Sequence, residues 1–248
     1  MPELNTFSIV ARCPRTGQLG VAVATAVPAV GAICPFVRAR VGAVSTQSWV
    51  NPYLAIEALE RMAGGEDAET ALEAVLAGDP GRELRQVGLV DGAGRAASWT
   101  GRDCTPWAGH HVGPGVAIQG NMLTGPDVVA AMAKAYAAAT DAELSDRLLA
   151  ALSAGDAAGG DMRGKQSAAL RVHDREDYAL LDLRVDEHAE PVRELARIHE
   201  IARLQLLPFV RGMPKREGGA EGPGDDVTSM LLKPPPLRPG GGGSAPTI

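Results

Sequence analysis

Thr6 stands at the head of an alternating apolar run, Thr6-Phe7-Ser8-Ile9-Val10-Ala11-Arg12, close to the N-terminus. A turn follows at Pro14-Arg15-Thr16-Gly17, and a second strand is predicted over Leu19-Gly20-Val21-Ala22-Val23-Ala24. A threonine at the mouth of such a hairpin has the parts for amide hydrolysis. Its hydroxyl can attack a carbonyl while its own free α-amine takes the proton. That amine exists only once Met1 to Asn5 have been removed, so the chemistry requires maturation. The structural alternative is a β-branched residue opening an ordinary strand.

Four further polar clusters fall at strand ends or in glycine-rich turns, where side chains can converge on a cleft. In Thr46-Gln47-Ser48-Trp49-Val50-Asn51-Pro52, Gln47 and Asn51 carry the donor and acceptor pairs that amide recognition needs. Asn51 before Pro52 also reads as a helix cap. In the stretch from Ser98 to His110, Trp99 and Trp107 offer either a wall for a flat ligand or bulk for the core. His110 and His111 are adjacent on a predicted strand and so face opposite sides, which argues against a metal. Gln119-Gly120-Asn121 combines backbone N–H groups with a carboxamide, the ingredients of an oxyanion hole, or else is an Asn in a left-handed turn. The glycine-flanked loop Ala158-Gly159-Gly160-Asp161-Met162-Arg163-Gly164-Lys165-Gln166-Ser167-Ala168 places Asp161, Arg163, Gln166 and Ser167 where they could anchor a carboxylate or ureide. A structural Asp161–Arg163 pair is the competing view. The chain has no Gly-x-Ser-x-Gly, no phosphate-binding Gly-Lys-Ser/Thr loop and no His-Glu-x-x-His.

The elements that must position these groups follow from pattern. Short strands are predicted at Ala29–Ile33 and Val41–Thr46. A helix opens at Asn51-Pro52 and ends at Gly64-Gly65, and another runs from about Asp67 to Ala77. A hairpin covers Leu84 to Thr100, a strand lies at Val116–Gln119, and two helices occupy about 126–139 and 142–152. A second hairpin, Ser167 to Val185, precedes a last helix over about 191–205. Hairpins pair antiparallel, and helices arriving in pairs can cover a sheet face, which indicates an α+β fold with antiparallel sheets. From about Gly212 the chain turns charged and rich in glycine and proline, and it is read as a disordered tail over 212–248. Residues 1–211 form the predicted domain.

The chain has 248 residues, 45% of them hydrophobic, and a formal net charge of −6. That size supports a substantial core, and the acidic balance without a basic run argues against nucleic acid as a partner. No stretch is apolar enough to cross a bilayer. With no basic apolar leader and only three scattered cysteines, the expected setting is cytoplasmic. Flat Ala/Val-rich surfaces suggest a homodimer.

Taken in order, Thr6–Ala11, Gly20–Ala24, Gly42-Ala43-Val44-Ser45-Thr46-Gln47, Asp79-Pro80-Gly81-Arg82-Glu83, Gln119-Gly120-Asn121 and the Gly159–Ala168 loop resemble a bacterial and archaeal family, domain of unknown function 1028. The resemblance runs from Thr6 to about His199. It implies the fold of the N-terminal-nucleophile (Ntn) hydrolases, a four-layer αββα sandwich, and with it a reaction class but no substrate. Many members of the family begin with Met directly before the equivalent of Thr6, whereas here Pro2-Glu3-Leu4-Asn5 intervene. The expected function is an Ntn-type amidohydrolase cleaving a small amide or ureide, with Thr6 as nucleophile and Asn121 with nearby backbone amides as oxyanion donors. Gln47, Asn51, Trp99, Gln119, Asp161, Arg163, Gln166 and Ser167 line or tune the substrate site, and no cofactor or metal is needed. The alternative is a non-catalytic binding or scaffold protein that keeps the fold without maturing.

Overall fold

The computed structural model describes residues 6–218, 222 and 224–233. The strands are β1 (Thr6–Arg12), β2 (Leu19–Thr25), β3 (Pro35–Arg38), β4 (Gly42–Ser48), β5 (Arg85–Asp91), β6 (Ala96–Thr100), β7 (Gly109–Gly113), β8 (Val116–Asn121), β9 (Ser167–His173) and β10 (Leu181–Val185). The helices are α1 (Pro52–Ala63), α2 (Ala68–Ala77), α3 (Asp127–Ala138), α4 (Leu144–Ala157), α5 (Pro191–Arg211) and α6 (Asp225–Leu231).

The strands form two antiparallel sheets, one of six strands in the order β10-β9-β2-β1-β8-β7 and one of four in the order β3-β4-β5-β6. On the outer face of the smaller sheet, Val44, Val87, Leu89 and Ala97 bury the apolar stripes of α1 and α2, including Leu54, Leu59, Leu72 and Leu76. α3 and α4 cover the larger sheet. Gly155 of α4 lies so close to Phe7 of β1 and Met132 of α3 that a Cβ there would press on both. Between the sheets, Val10, Leu19 and Val21 of the larger meet Val37, Ala43 and Val90 of the smaller. The result is the expected α+β sandwich with four layers, helix–sheet–sheet–helix.

Three elements differ from the sequence reading. Ala29–Ile33 is not a strand. A 3₁₀ turn at Val30–Ala32, entered through Ala29 at φ 56°, carries the chain from β2 in one sheet to β3 in the other. Gly31 is packed so tightly on Ala169 and Arg184 that no side chain fits. β3 was not predicted, and within β7 only His110-His111 was read as strand. Both are edge strands, one opening on a proline and the other largely exposed, so neither shows clean alternation.

The chain divides into two compact units, one ending at Leu195 and the next beginning at Ala196, a division that falls inside α5. Within the segment read as disordered, Asp225–Leu231 forms a short helix of about two turns, with Leu232 82% exposed just after it. The remaining glycine- and proline-rich tail from 234 onward lies outside the described residues, as do residues 1–5.

Candidate functional site

The pleat sorts the strand residues of both sheets into two sets. In β1, Thr6, Ser8 and Val10 face the smaller sheet, while Phe7 and Ile9 face the helices. The partners of Thr6 are Thr25 on β2 and Asn121 on β8, and Ser8 lies opposite Gln119. In the smaller sheet, Gln47, Gln86 and Thr100 are aligned across β4, β5 and β6. One end of the space between the sheets is therefore apolar and the other is built of hydroxyls and carboxamides.

These groups form a connected, buried network. Gln47 Nε2 donates to the Thr6 carbonyl (3.1 Å) and to Gln86 Oε1 (2.8 Å), while Gln47 Oε1 accepts from Ser8 Oγ (2.6 Å). Gln119 Nε2 donates to Ser8 Oγ (2.6 Å). Asn121 Nδ2 donates to Gln86 Oε1 (3.0 Å). Gln86 Nε2 in turn reaches Thr100 Oγ1 (2.9 Å) and the Gly120 carbonyl (2.8 Å). Thr6 Oγ1 donates to Thr25 Oγ1 at 3.3 Å. Gln119 Oε1 is buried without a partner and lies against Gly88, where any Cβ would overlap it. The strands carrying Gln47 and Asn121 both end in a left-handed residue immediately afterwards, Ser48 (φ 66°) and Met122 (φ 50°). Such conformations are unfavourable for residues other than glycine and recur at functional sites.

The backbone amides after Asn121 are already committed: Met122 N–H donates to the Thr105 carbonyl and Leu123 N–H to that of Trp107, each at 3.0 Å. This corrects the expectation of a backbone oxyanion hole there. The donor that remains is the Asn121 carboxamide, which has a second N–H beyond the one given to Gln86.

The Gly159–Ala168 loop reaches the same end of the larger sheet. Asp161 bridges to Leu123, and its carboxylate accepts from Ala26 N–H (3.0 Å), Arg163 N–H (2.9 Å) and Arg163 Nη2 (3.1 Å). Asp161 lines a cavity of about 60 Å³ together with Thr25, Phe7 and Lys165. Lys165 is tied to Asp156 and Glu190, both at 2.9 Å. The Asp156 bond, partly opposed by burial and reinforced by Glu190, raises the lysine pKa, so it stays a cation rather than a base.

A family model described as a family of unknown function, DUF1028, matches residues 6–195. The chain belongs to the DUF1028 family. The crystal structure of protein SPO2555 from Silicibacter pomeroyi, a DUF1028 protein, is 30% identical to it. That match covers 88% of this chain and 96% of the other, with a TM-score of 0.80. No curated protein matches the chain.

Other predicted residues of this DUF1028 chain lie apart from the network. Asn51 caps α1 through Tyr53 N–H and bonds Asp79 Oδ2, both at 3.2 Å. Asp79 also holds Arg85 at 2.8 Å, so the cluster is a structural clasp. Trp99 pairs with Val87 and shares its helix-facing side of the smaller sheet, opposite to Gln86 and Thr100. Ser167 Oγ donates to the Val27 carbonyl and accepts from Val30 N–H, holding the turn after β2. Gln166 enters through its backbone, bonded to Thr25 and His188. Gln86, Ser8 and Thr25 were missed. The signal was present as a glutamine directly before the apolar run Val87-Gly88-Leu89-Val90, but its partners include strands far away in sequence.

Proposed function

We propose that this protein is an Ntn-type amidohydrolase that cleaves the C–N bond of a small amide or ureide. The observation that carries the reading is the register: Thr6 lies directly opposite Asn121 at the polar end of the space between the sheets. The Thr6 carbonyl is held there by Gln47. In the matured chain, Thr6 Oγ1 attacks the substrate carbonyl carbon and passes its proton to the freed α-amine. That amine has an ordinary pKa of about 7.7–8.0 and is a competent base near neutrality. The oxyanion accepts the uncommitted N–H of Asn121. Collapse expels the amine, which takes the proton back, and leaves an acyl ester on Thr6. Water, deprotonated by the same α-amine, then releases the acid. Asp161 and Arg163 position substrate at the mouth, and no metal or cofactor enters the scheme.

The proposed setting is cytoplasmic, which three unpaired, buried thiols support; burial pushes Cys34 to about 12. No helix among the described residues is long and apolar enough to cross a membrane. The proposed assembly is a homodimer.

A second reading has its own support. Thr6 is fully buried in the unprocessed chain, and the carboxamide network is largely closed upon itself. A binding or scaffold protein with the same architecture would look like this. Expressing a chain that begins at Thr6 after methionine removal, and treating it with an alkyl β-lactone, separates the two. The hydrolase reading expects an acyl adduct on Thr6 by mass spectrometry and turnover within a panel of small amides and ureides. Thr6→Ser should keep part of both and Thr6→Ala neither. Labelling or turnover undiminished in Thr6→Ala would place the nucleophile elsewhere.

A further inference from the structure

On the helix-covered side of the smaller sheet lies a groove of about 500 Å³, lined by residues of α2, β6 and β7. That volume falls in the range of small-molecule sites. Leu72, Leu76, Ala97 and Val112 supply its apolar surface and Trp99 its aromatic one. The Trp99 N–H is consumed by the Arg82 carbonyl at 3.0 Å, so what the indole offers a ligand is ring surface. Glu69 and Glu73 also line the groove, one turn apart on α2 and therefore on one face. Both are exposed, and neither carboxylate has a hydrogen-bond or ion-pair partner among the described residues. The single cation lining the groove, Arg82, is engaged by Glu83 at 3.4 Å. The groove thus joins apolar and aromatic surface to two uncompensated negative charges.

We propose that this groove binds a small organic cation with a flat apolar body, an aryl-alkyl ammonium. The charged end would lie at Glu69 and Glu73 and the ring against Trp99, combining Coulomb attraction with aromatic stacking and apolar contact. The site is independent of the Thr6 chemistry, because Trp99 and Gln86 project to opposite faces of the same sheet. An anionic or purely apolar occupant would leave the two carboxylates facing it unpaired.

The full-length protein, labelled with ¹⁵N, provides the test. The Trp99 indole N–H signal is identified by its loss in Trp99→Phe, and the parent is titrated at pH 7 with tryptamine. Saturable movement of that signal is expected. Indole-3-propionate, with the same ring and the opposite charge, should produce none at the same concentrations. A Glu69→Gln/Glu73→Gln variant, altered only at exposed helix positions, should bind tryptamine weaker by roughly fivefold or more. The proposal is overturned if tryptamine leaves the Trp99 signal unmoved, if the anion binds as well, or if the double variant binds with the parent's affinity.

Discussion

Gly88 is the residue at which the polar layer is most sharply constrained. It faces Gln119 across the two sheets, and a Cβ there would overlap the carboxamide. Gln119 cannot simply swing away, because its Nε2 holds Ser8 and Ser8 holds Gln47. Gly88→Ala should therefore destabilise the protein by roughly 1–3 kcal/mol, as overpacking of a tight interior does. Urea unfolding provides the measure. Combining it with Gln119→Ala, which removes the colliding group, should give less than the sum of the single effects. Strict additivity would mean that the two positions do not meet as described. Neither constraint was visible beforehand: a glycine in a strand signals close approach to something, but the sequence does not say to what.

Local signals served best where an element carries its own punctuation. Asn51-Pro52 at the start of α1 and Gly64 at its end fell where cap and stop residues belong, and Asp67 caps α2 through Thr70 N–H at 2.8 Å. The Asn51 clasp adds a tertiary bond to Asp79 that no local rule predicts. Asn51→Ala should lower stability by about 1–2 kcal/mol without touching the Thr6 network, again by urea titration. Asp79 makes this element sensitive to acid. Burial raises its pKa, but Arg85, Gly81 N–H and Asn51 together more than offset this and hold it below the ordinary carboxylate value. A depressed carboxylate contributes stability that is present above its unfolded pKa and lost as pH falls through the folded one. Thermal stability should thus decline below about pH 4, and less steeply in Asp79→Asn. An equal acid slope in that variant would remove Asp79 as the cause.

At the scale of the whole molecule, pH also acts through His173, buried at the end of β9. Burial lowers its pKa and Arg171 lowers it further, against smaller opposing effects of the Glu176 backbone, Asp182 and Asp177. The folded state therefore binds this proton less readily than the unfolded chain does. Its contribution to stability is complete above about pH 6.5 and is lost progressively as pH falls towards the folded value. The urea midpoint should drop between pH 7.5 and 5.5, and the drop should shrink in His173→Gln. An imidazole that titrates by NMR at or above its ordinary value would contradict this. The sequence by itself determined the hairpins, signalled by turns, and the helices, signalled by caps and apolar stripes, and hence an α+β fold with antiparallel sheets; the four-layer sandwich followed only from the family resemblance. It also marked Thr6, Gln47, Gln119 and Asn121 as polar residues in apolar strands. Only the tertiary structure decided that these four join one buried network through Gln86 and Ser8, that Asn51 and Ser167 serve the scaffold, and that Trp99 faces a separate groove. The reason is physical. Periodicity fixes which residues share a face of one strand, but which faces of two sheets oppose each other depends on register and crossover across the whole fold.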